Sequence, residues 1–187
     1  MNRDRPWQVL VLAAHWPGEP RGALLQAAAA AADLAGLVAN TRLLYPHGSL
    51  PGKGSGDDPF ARLESDPEFG LVGLPAPGWS ARTRRIGFAF NAFLYVSALS
   101  GPQLLLVSDR LVWSWLGWFL RRRRKRLVLE MTGGSAPDAA WVRAAAQADA
   151  VVASSEDQFE ALAGAGIDAS RIFLTTDRRA MARLLLG

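Results

Sequence analysis

The sequence predicts an α/β fold: a Rossmann-like parallel sheet with helices on both faces, in a single domain. Three observations carry this. Strand-length apolar runs alternate with helical runs from residue 8 to the end, the order expected when each strand is joined to the next by a crossover helix. The runs QVLVLAA, PQLLLVSD and DAVVASS are apolar almost throughout rather than at alternate positions, as strands buried on both faces are. The chain has 187 residues, half of them apolar and a fifth charged, which suits one domain with a substantial core.

The elements follow in order. QVLVLAA (8–14) is the first strand, bounded by a turn. The alanine-rich run 22–36 is a helix that stops at a glycine. LVANTRLLY (37–45) is the second strand, and 46–59 is a flexible loop by its Pro, Gly, Ser and Asp content. EFGLVGLP (68–75) is a weaker third strand, and 80–99 is helical with an apolar face. The strand 102–109 and the helix 111–124 come next, then the strand 126–134. A helix at 137–148 has proline and aspartate near its start. The strand 149–155 leads into a helix at 155–166, opened by Ser155 with acids in its first turn. The strand 171–176 and the helix 177–187 close the chain.

Composition narrows the chemistry. Cysteine is absent, which excludes disulfides and thiolate metal sites. The two histidines, His15 and His47, are too few for a metal cluster, so no metal is expected. The net charge of +4 comes from 21 basic and 17 acidic residues. Six of the basic residues fill positions 121–126, and without them the balance is 15 against 17. A nucleic-acid role would rest on that patch alone, without an interleaved aromatic platform, and is not expected. The N-terminus has the outline of a signal peptide, but Asp4 stands in its charged region and no small-residue cleavage site follows. A cytoplasmic first strand is expected instead. The stretch 86–107 carries no charge and is long enough to span a bilayer. Asn91, Ser97, Ser100 and the break Gly101-Pro102-Gln103 divide it, so it reads as a buried helix followed by a buried strand.

In a parallel sheet of this kind, ligands bind beyond the carboxyl ends of the strands, where the strand order reverses. The candidates are therefore His15, Gly18, Arg21 and Gly22 after the first strand. Ser108 and Asp109 follow the 102–109 strand, and Thr132, Gly133 and Gly134 follow the next. Ser154, Ser155 and Glu156 end the sixth, and Thr175, Thr176 and Asp177 the last. Small, hydroxyl and acidic groups suit a polyol or a phosphate. Gly18, Arg21 and Gly22 bracket a helix start, whose unpaired N–H groups and positive dipole end favour an anion. The glycines match neither the spaced dinucleotide fingerprint nor a P-loop, and a plain strand-to-helix turn would also use them. His15 is a candidate general base or a packed wall residue beside Trp16. Asp109 either orients a substrate hydroxyl, as a candidate catalytic group, or caps the helix that follows.

LVWSWLGWFLRRRRKR (111–126) joins a tryptophan-rich helix to a basic block. Trp115 and Trp118 with Arg121, Arg122, Arg123 and Arg124 suit peripheral contact with an anionic membrane. A core-facing helix with a solvated basic end is the alternative.

The order of these pieces resembles the N-terminal, acceptor-side domain of family-4-like GT-B glycosyltransferases. The most specific match is ADAVVASSED (148–157) with AGIDASRIFLTTD (165–177), supported by GPQLLLVSD and RLVLEMTGG. The resemblance implies that all of 1–187 is one Rossmann-like acceptor domain. It implies a diphosphate-side loop of Gly18, Arg21 and Gly22 as the cofactor-binding element, and an acceptor pocket bordered by Asp109, Thr132, Gly133 and Glu156. No cofactor beyond a nucleotide-sugar donor is implied, and a second domain would mainly hold that donor. The chain departs from the family in having Thr132 where the family has a histidine after the fifth strand. It has Thr175-Thr176-Asp177 in place of the family's Pro-Asn-Gly, and no pair of glutamates eight positions apart. The resemblance does not extend to the family's donor domain, which these 187 residues are expected to lack. A donor-domain partner or a homo-oligomer would be needed for glycosyl transfer. A catalytically inactive binding or scaffold subunit, or an unrelated nucleotide-binding domain, are the alternatives.

Overall fold

The computed structural model describes residues 6–16, 22–47, 69–120, 125–133 and 136–187. Seven strands form one sheet: β1 (Gln8–Leu12), β2 (Thr41–Pro46), β3 (Gly70–Leu74), β4 (Gln103–Val107), β5 (Lys125–Glu130), β6 (Ala150–Ala153) and β7 (Ile172–Leu174). Every pair is parallel, in the order β3-β2-β1-β4-β5-β6-β7. From β1 the chain moves outward to β3, then crosses back to lay β4 on the other side of β1. That reversal makes the β1/β4 boundary the switch point of the sheet. The expected α/β class, with a parallel sheet covered on both faces, is borne out.

Side chains alternate between two cores because successive residues of a strand point to opposite faces. Leu10, Leu12, Leu105, Val107, Leu127 and Leu129 join one core, with Phe88, Val96, Val112, Trp113, Leu116 and Leu162 from helices. The helices of this core are α2 (Ala81–Ala98), α3 (Arg110–Leu120), α4 (Ala139–Ala145), which adds Ala144 and Ala145, and α5 (Glu156–Gly164). Val9, Val11, Leu104, Leu106, Val128 and Val152 join the other core, under α1 (Gly22–Ala35) and α6 (Arg178–Leu186). The alanine run has a packing role as well as helix propensity: Ala27, Ala28, Ala30 and Ala31 are all buried against the sheet. Each large side chain taken fully out of water, Phe88 and Leu116 among them, contributes about 1.5–3 kcal/mol.

Several element ends differ from expectation, each for a local reason. β2 begins at Thr41 and not at 37, because the N–H groups of Leu37 and Val38 both donate to the Leu34 carbonyl and continue the end of α1 as turns. β5 ends at Glu130, and three residues later Gly133 takes φ +86 and turns the chain. The last strand stops at Leu174, and 175–177 is a single 3-10 turn leading into α6. The uncharged stretch 86–107 divides as expected, into the greater part of α2 and β4. No helix among the described residues is long and apolar enough to cross a membrane. Of the expected loop 46–59, Pro46 closes β2 and His47 N donates to Leu74 O at 2.7 Å; the remainder lies outside the described residues.

Candidate functional site

A cleft of about 610 Å³ opens over the carboxyl ends of β1, β4 and β5. His15, Gly22, Gln26, Arg85, Ser108, Asp109, Thr132 and Gly133 line it, with Ala14 and Ala23. It sits at the switch point that the strand order creates.

Each wall has a local origin. Beyond β1, Ala13 N donates to Leu44 O at 2.9 Å and His15 N donates to Ala13 O at 3.0 Å, a tight turn that brings His15 to the cleft floor. His15 is only 5% exposed. Trp16 is buried beside it and meets the Phe88 ring edge-on, centroids 6.2 Å apart. The guanidinium of Arg85 lies 4.8 Å over the Trp16 ring, a cation–π arrangement. Arg85 Nε also donates to Asp109 Oδ2 at 2.8 Å. The other carboxylate oxygen, Asp109 Oδ1, accepts from the N–H groups of Leu111 and Val112, both at 2.9 Å. Of the two readings of Asp109, the cap is therefore realised: the side chain closes the N-terminus of α3 and holds Arg85 at the same time.

On the opposite wall, the Gly133 carbonyl accepts from Ser154 Oγ at 2.9 Å and from Gln158 Nε2. Gln158 is 1% exposed, and its Oε1 accepts from Ser154 N at 2.9 Å. A buried amide thus clamps the β5 turn that carries Thr132 and Gly133 to the start of α5. Gly22 is the exposed first residue of α1, with its N–H and that of Ala23 unpaired within the helix.

A second, shallower cavity of about 460 Å³ lies beyond β6 and β7, lined by Gln26, Asp33, Ser154, Thr175, Thr176 and Arg178. Gln26 borders both. Between them, Glu130 is 1% exposed and Arg178 is 6% exposed. Arg178 donates from Nε at 3.1 Å and from Nη2 to Glu130 Oε1, and from Nη1 to Asp33 Oδ2 at 3.2 Å. Gln26 Nε2 adds a third donor to Glu130 at 3.1 Å. This buried charge is paired and hydrogen-bonded, the condition under which an interior ion is tolerated.

The structure brings His15, Gly22, Asp109, Thr132 and Gly133 into one cleft. Glu156 does not line it; it lies exposed in the first turn of α5. Gly18, Arg21, Gly134 and Arg121 to Arg124 lie outside the described residues. Trp115 is 39% exposed on α3, and Trp118 falls in the same helix. No group of three metal-ligating side chains occurs among the described residues. Sequence reasoning missed Arg85, Gln26 and the Glu130–Arg178 pair. Two had a signal: Arg85 keeps helical spacing with the buried Phe88, Ala89 and Ala92, and Glu130 ends an apolar strand.

No protein-family model matches the chain, and no curated protein matches it. Solved structures do. HepE of Anabaena, in complex with UDP-glucose, aligns with a TM-score of 0.58 at 13% identity, over 91% of this chain and 43% of that one. The lipopolysaccharide outer core galactosyltransferase WaaB aligns at 0.55 and 12%, over 89% and 44%. The UDP-N-acetylglucosamine 2-epimerase of Rickettsia bellii aligns at 0.54 and 11%, over 98% and 50%. The chain spans half or less of the length of these neighbours. The likeness shows the fold, a single GT-B-like half-domain.

Proposed function

We propose that the chain is the acceptor-side half of a GT-B glycosyltransferase of the family-4-like kind, acting in the cytoplasm with a partner that supplies the donor half. The observation that carries this is the cleft at the β1/β4 switch point, in a sheet that matches half of proteins solved with UDP or UDP-glucose. The cleft offers hydroxyls from Ser108 and Thr132, the Gln26 amide, the N-terminal N–H groups of α1 and the Arg85 cation. That set suits a polyhydroxyl acceptor next to a diphosphate. In this reading His15 is the group within reach of an acceptor hydroxyl, and Gly18, Arg21 and Gly22 face the diphosphate. Asp109 acts through Arg85, while Thr132 and Gly133 border the acceptor.

The test has two parts. Titration calorimetry of the pure chain with UDP-, GDP- and NAD-type ligands should show weak binding at most, because one half cannot enclose a donor. Tight donor binding by this chain alone overturns the need for a partner, and preferred dinucleotide binding overturns the sugar-transfer reading. A protein carrying the donor-side glutamate pair should copurify, and the reconstituted pair should transfer sugar.

A second reading is a binding subunit without catalysis. Thr132 stands where the resemblance has a histidine, and a threonine does not shuttle protons near neutral pH. A reconstituted pair that binds acceptor and donor but transfers nothing, unchanged by His15→Gln, would favour it.

A further inference from the structure

The outer surface of the α2–α3 layer has no role in the cleft and carries large apolar side chains in the open. Phe90 and Leu94 are one turn apart on α2 and are 49% and 48% exposed. Each lies about 200° around the helix from the buried residue two positions earlier, Phe88 and Ala92 respectively, and so on the side away from the sheet. Helix α3 packs along α2. Its Trp113 lines the groove towards α4, so Trp115, two residues on, lies on the side away from α4. Trp79, just before the N-cap of α2, is 90% exposed.

The charged residues of α2 and α3 are all arginines: Arg82, Arg84, Arg85 and Arg110. Arg85 is bonded to Asp109 and Arg110 to Asp138. Arg82 and Arg84 are exposed at the start of α2, and no carboxylate of the described residues pairs with them.

We propose that the α2–α3 face, with Phe90 and Leu94 as its apolar centre and Arg82 and Arg84 at its edge, binds the surface of an anionic lipid bilayer. Apolar side chains of this size enter the headgroup boundary of a membrane, while arginines beside them reach the lipid phosphates. The sequence expectation centred on α3 and the basic block; α2 supplies the exposed apolar pair. A second copy of the chain is a poorer occupant, because it would bring one cationic face against another. The inference rests on this surface alone and stands or falls separately from sugar transfer.

The experiment is co-sedimentation of the full chain with phosphatidylcholine vesicles, with and without phosphatidylglycerol. Binding should require phosphatidylglycerol and weaken with added salt. Phe90→Ser/Leu94→Ser should lower it at least about tenfold. Arg82→Gln/Arg84→Gln, both at exposed positions and checked for an unchanged thermal midpoint, should lower it by a similar factor. No binding to anionic vesicles, equal binding to neutral ones, or undiminished binding by the arginine variant overturns the proposal. So does analytical ultracentrifugation showing that the native chain is a dimer and the Phe90/Leu94 variant a monomer, which would assign the face to self-association.

Discussion

Arg85 Nε donates to Asp109 Oδ2 over 2.8 Å, tying the first half of α2 to the start of α3 across the mouth of the cleft. The two side chains are 22% and 18% exposed, so the bond is neither freely solvated nor sealed in the core. Because Trp16 supports the same guanidinium from below, three elements meet at one cation, and the shape of the cleft depends on it.

Replacing Arg85 with Met should therefore destabilise the chain by about 1–3 kcal/mol. It removes a charge-assisted hydrogen bond and a cation–π contact, and leaves the Asp109 carboxylate with only backbone partners among the described residues. Arg85→Lys keeps the charge but not the flat, stacking guanidinium, and should recover only part. Urea midpoints of the three proteins check this. Asp109→Asn, which can still cap α3, should lose less than Asp109→Ala.

The Glu130–Arg178 pair answers a different question. Both side chains are nearly out of solvent, at 1% and 8%. Arg178→Met leaves a buried carboxylate with Gln26 as its remaining donor among the described residues, and should cost about 3–5 kcal/mol. The double change Glu130→Leu/Arg178→Met removes the stranded charge along with its partner. It should recover most of the loss, because an apolar pair of similar size is often neutral in such a place. Denaturant unfolding of both variants reads the difference. A double variant as unstable as the single one would show that the pair contributes more than mutual neutralisation.

The residues that reveal the fold in the sequence are those whose partners are neighbours along the chain. QLLLV is legible because a strand buried on both faces has no polar side. Ser155 is legible because its oxygen bonds Gln158 N three residues on. Asp109 announced itself at a strand end, but local sequence allowed both a cap and a substrate contact, and only Arg85, 24 residues away, fixes which way its second oxygen faces. Glu130 and Arg178 are 48 residues apart and Gln26 is 104 from Glu130. Such pairs depend on strand order, which no local periodicity encodes. Leu37 and Val38 show the opposite limit: they continue the apolar run of the strand that follows, but the Leu34 carbonyl captures both amides.

Acid should loosen the start of α4 through Asp138. Its carboxyl is held below the usual aspartate range, first by the hydrogen bond from Trp141 N and also by Arg110 and Ala140 N, which together outweigh the opposing effect of desolvation. A folded pKa below the unfolded one means that the stabilisation is present above the unfolded pKa and disappears as pH falls through the folded value. Asp138→Asn keeps a capping oxygen but cannot titrate. Its thermal midpoint should fall below the native one near neutral pH, and the two should converge as pH falls through the lowered carboxyl's range. Asp168, lowered by Ser170 N and Ser170 Oγ, should respond in the same direction when changed to Asn.

Two glycine-to-alanine changes should move stability in opposite directions, although helix propensity favours alanine in both by about 1 kcal/mol. Gly164 ends α5 exposed, with nothing within 4 Å of where a Cβ would stand. Gly164→Ala should stabilise by about 0.5–1 kcal/mol. Gly87 lies inside α2 where the helix passes the 75–77 segment, and a Cβ there would stand 2.4 Å from the Pro77 carbonyl oxygen. That atom belongs to the backbone and cannot swing aside. The helix would have to move, straining the bonds from Asn91 Nδ2 to Pro75 O and Gly87 O, both 3.0 Å. Overpacking of this kind costs about 1–3 kcal/mol and outweighs the propensity gain. Gly87→Ala should therefore lower the thermal midpoint while Gly164→Ala raises it. A rise in both would mean that α2 yields to the methyl group at little cost, and that the close approach of 75–77 is not a constraint on the fold.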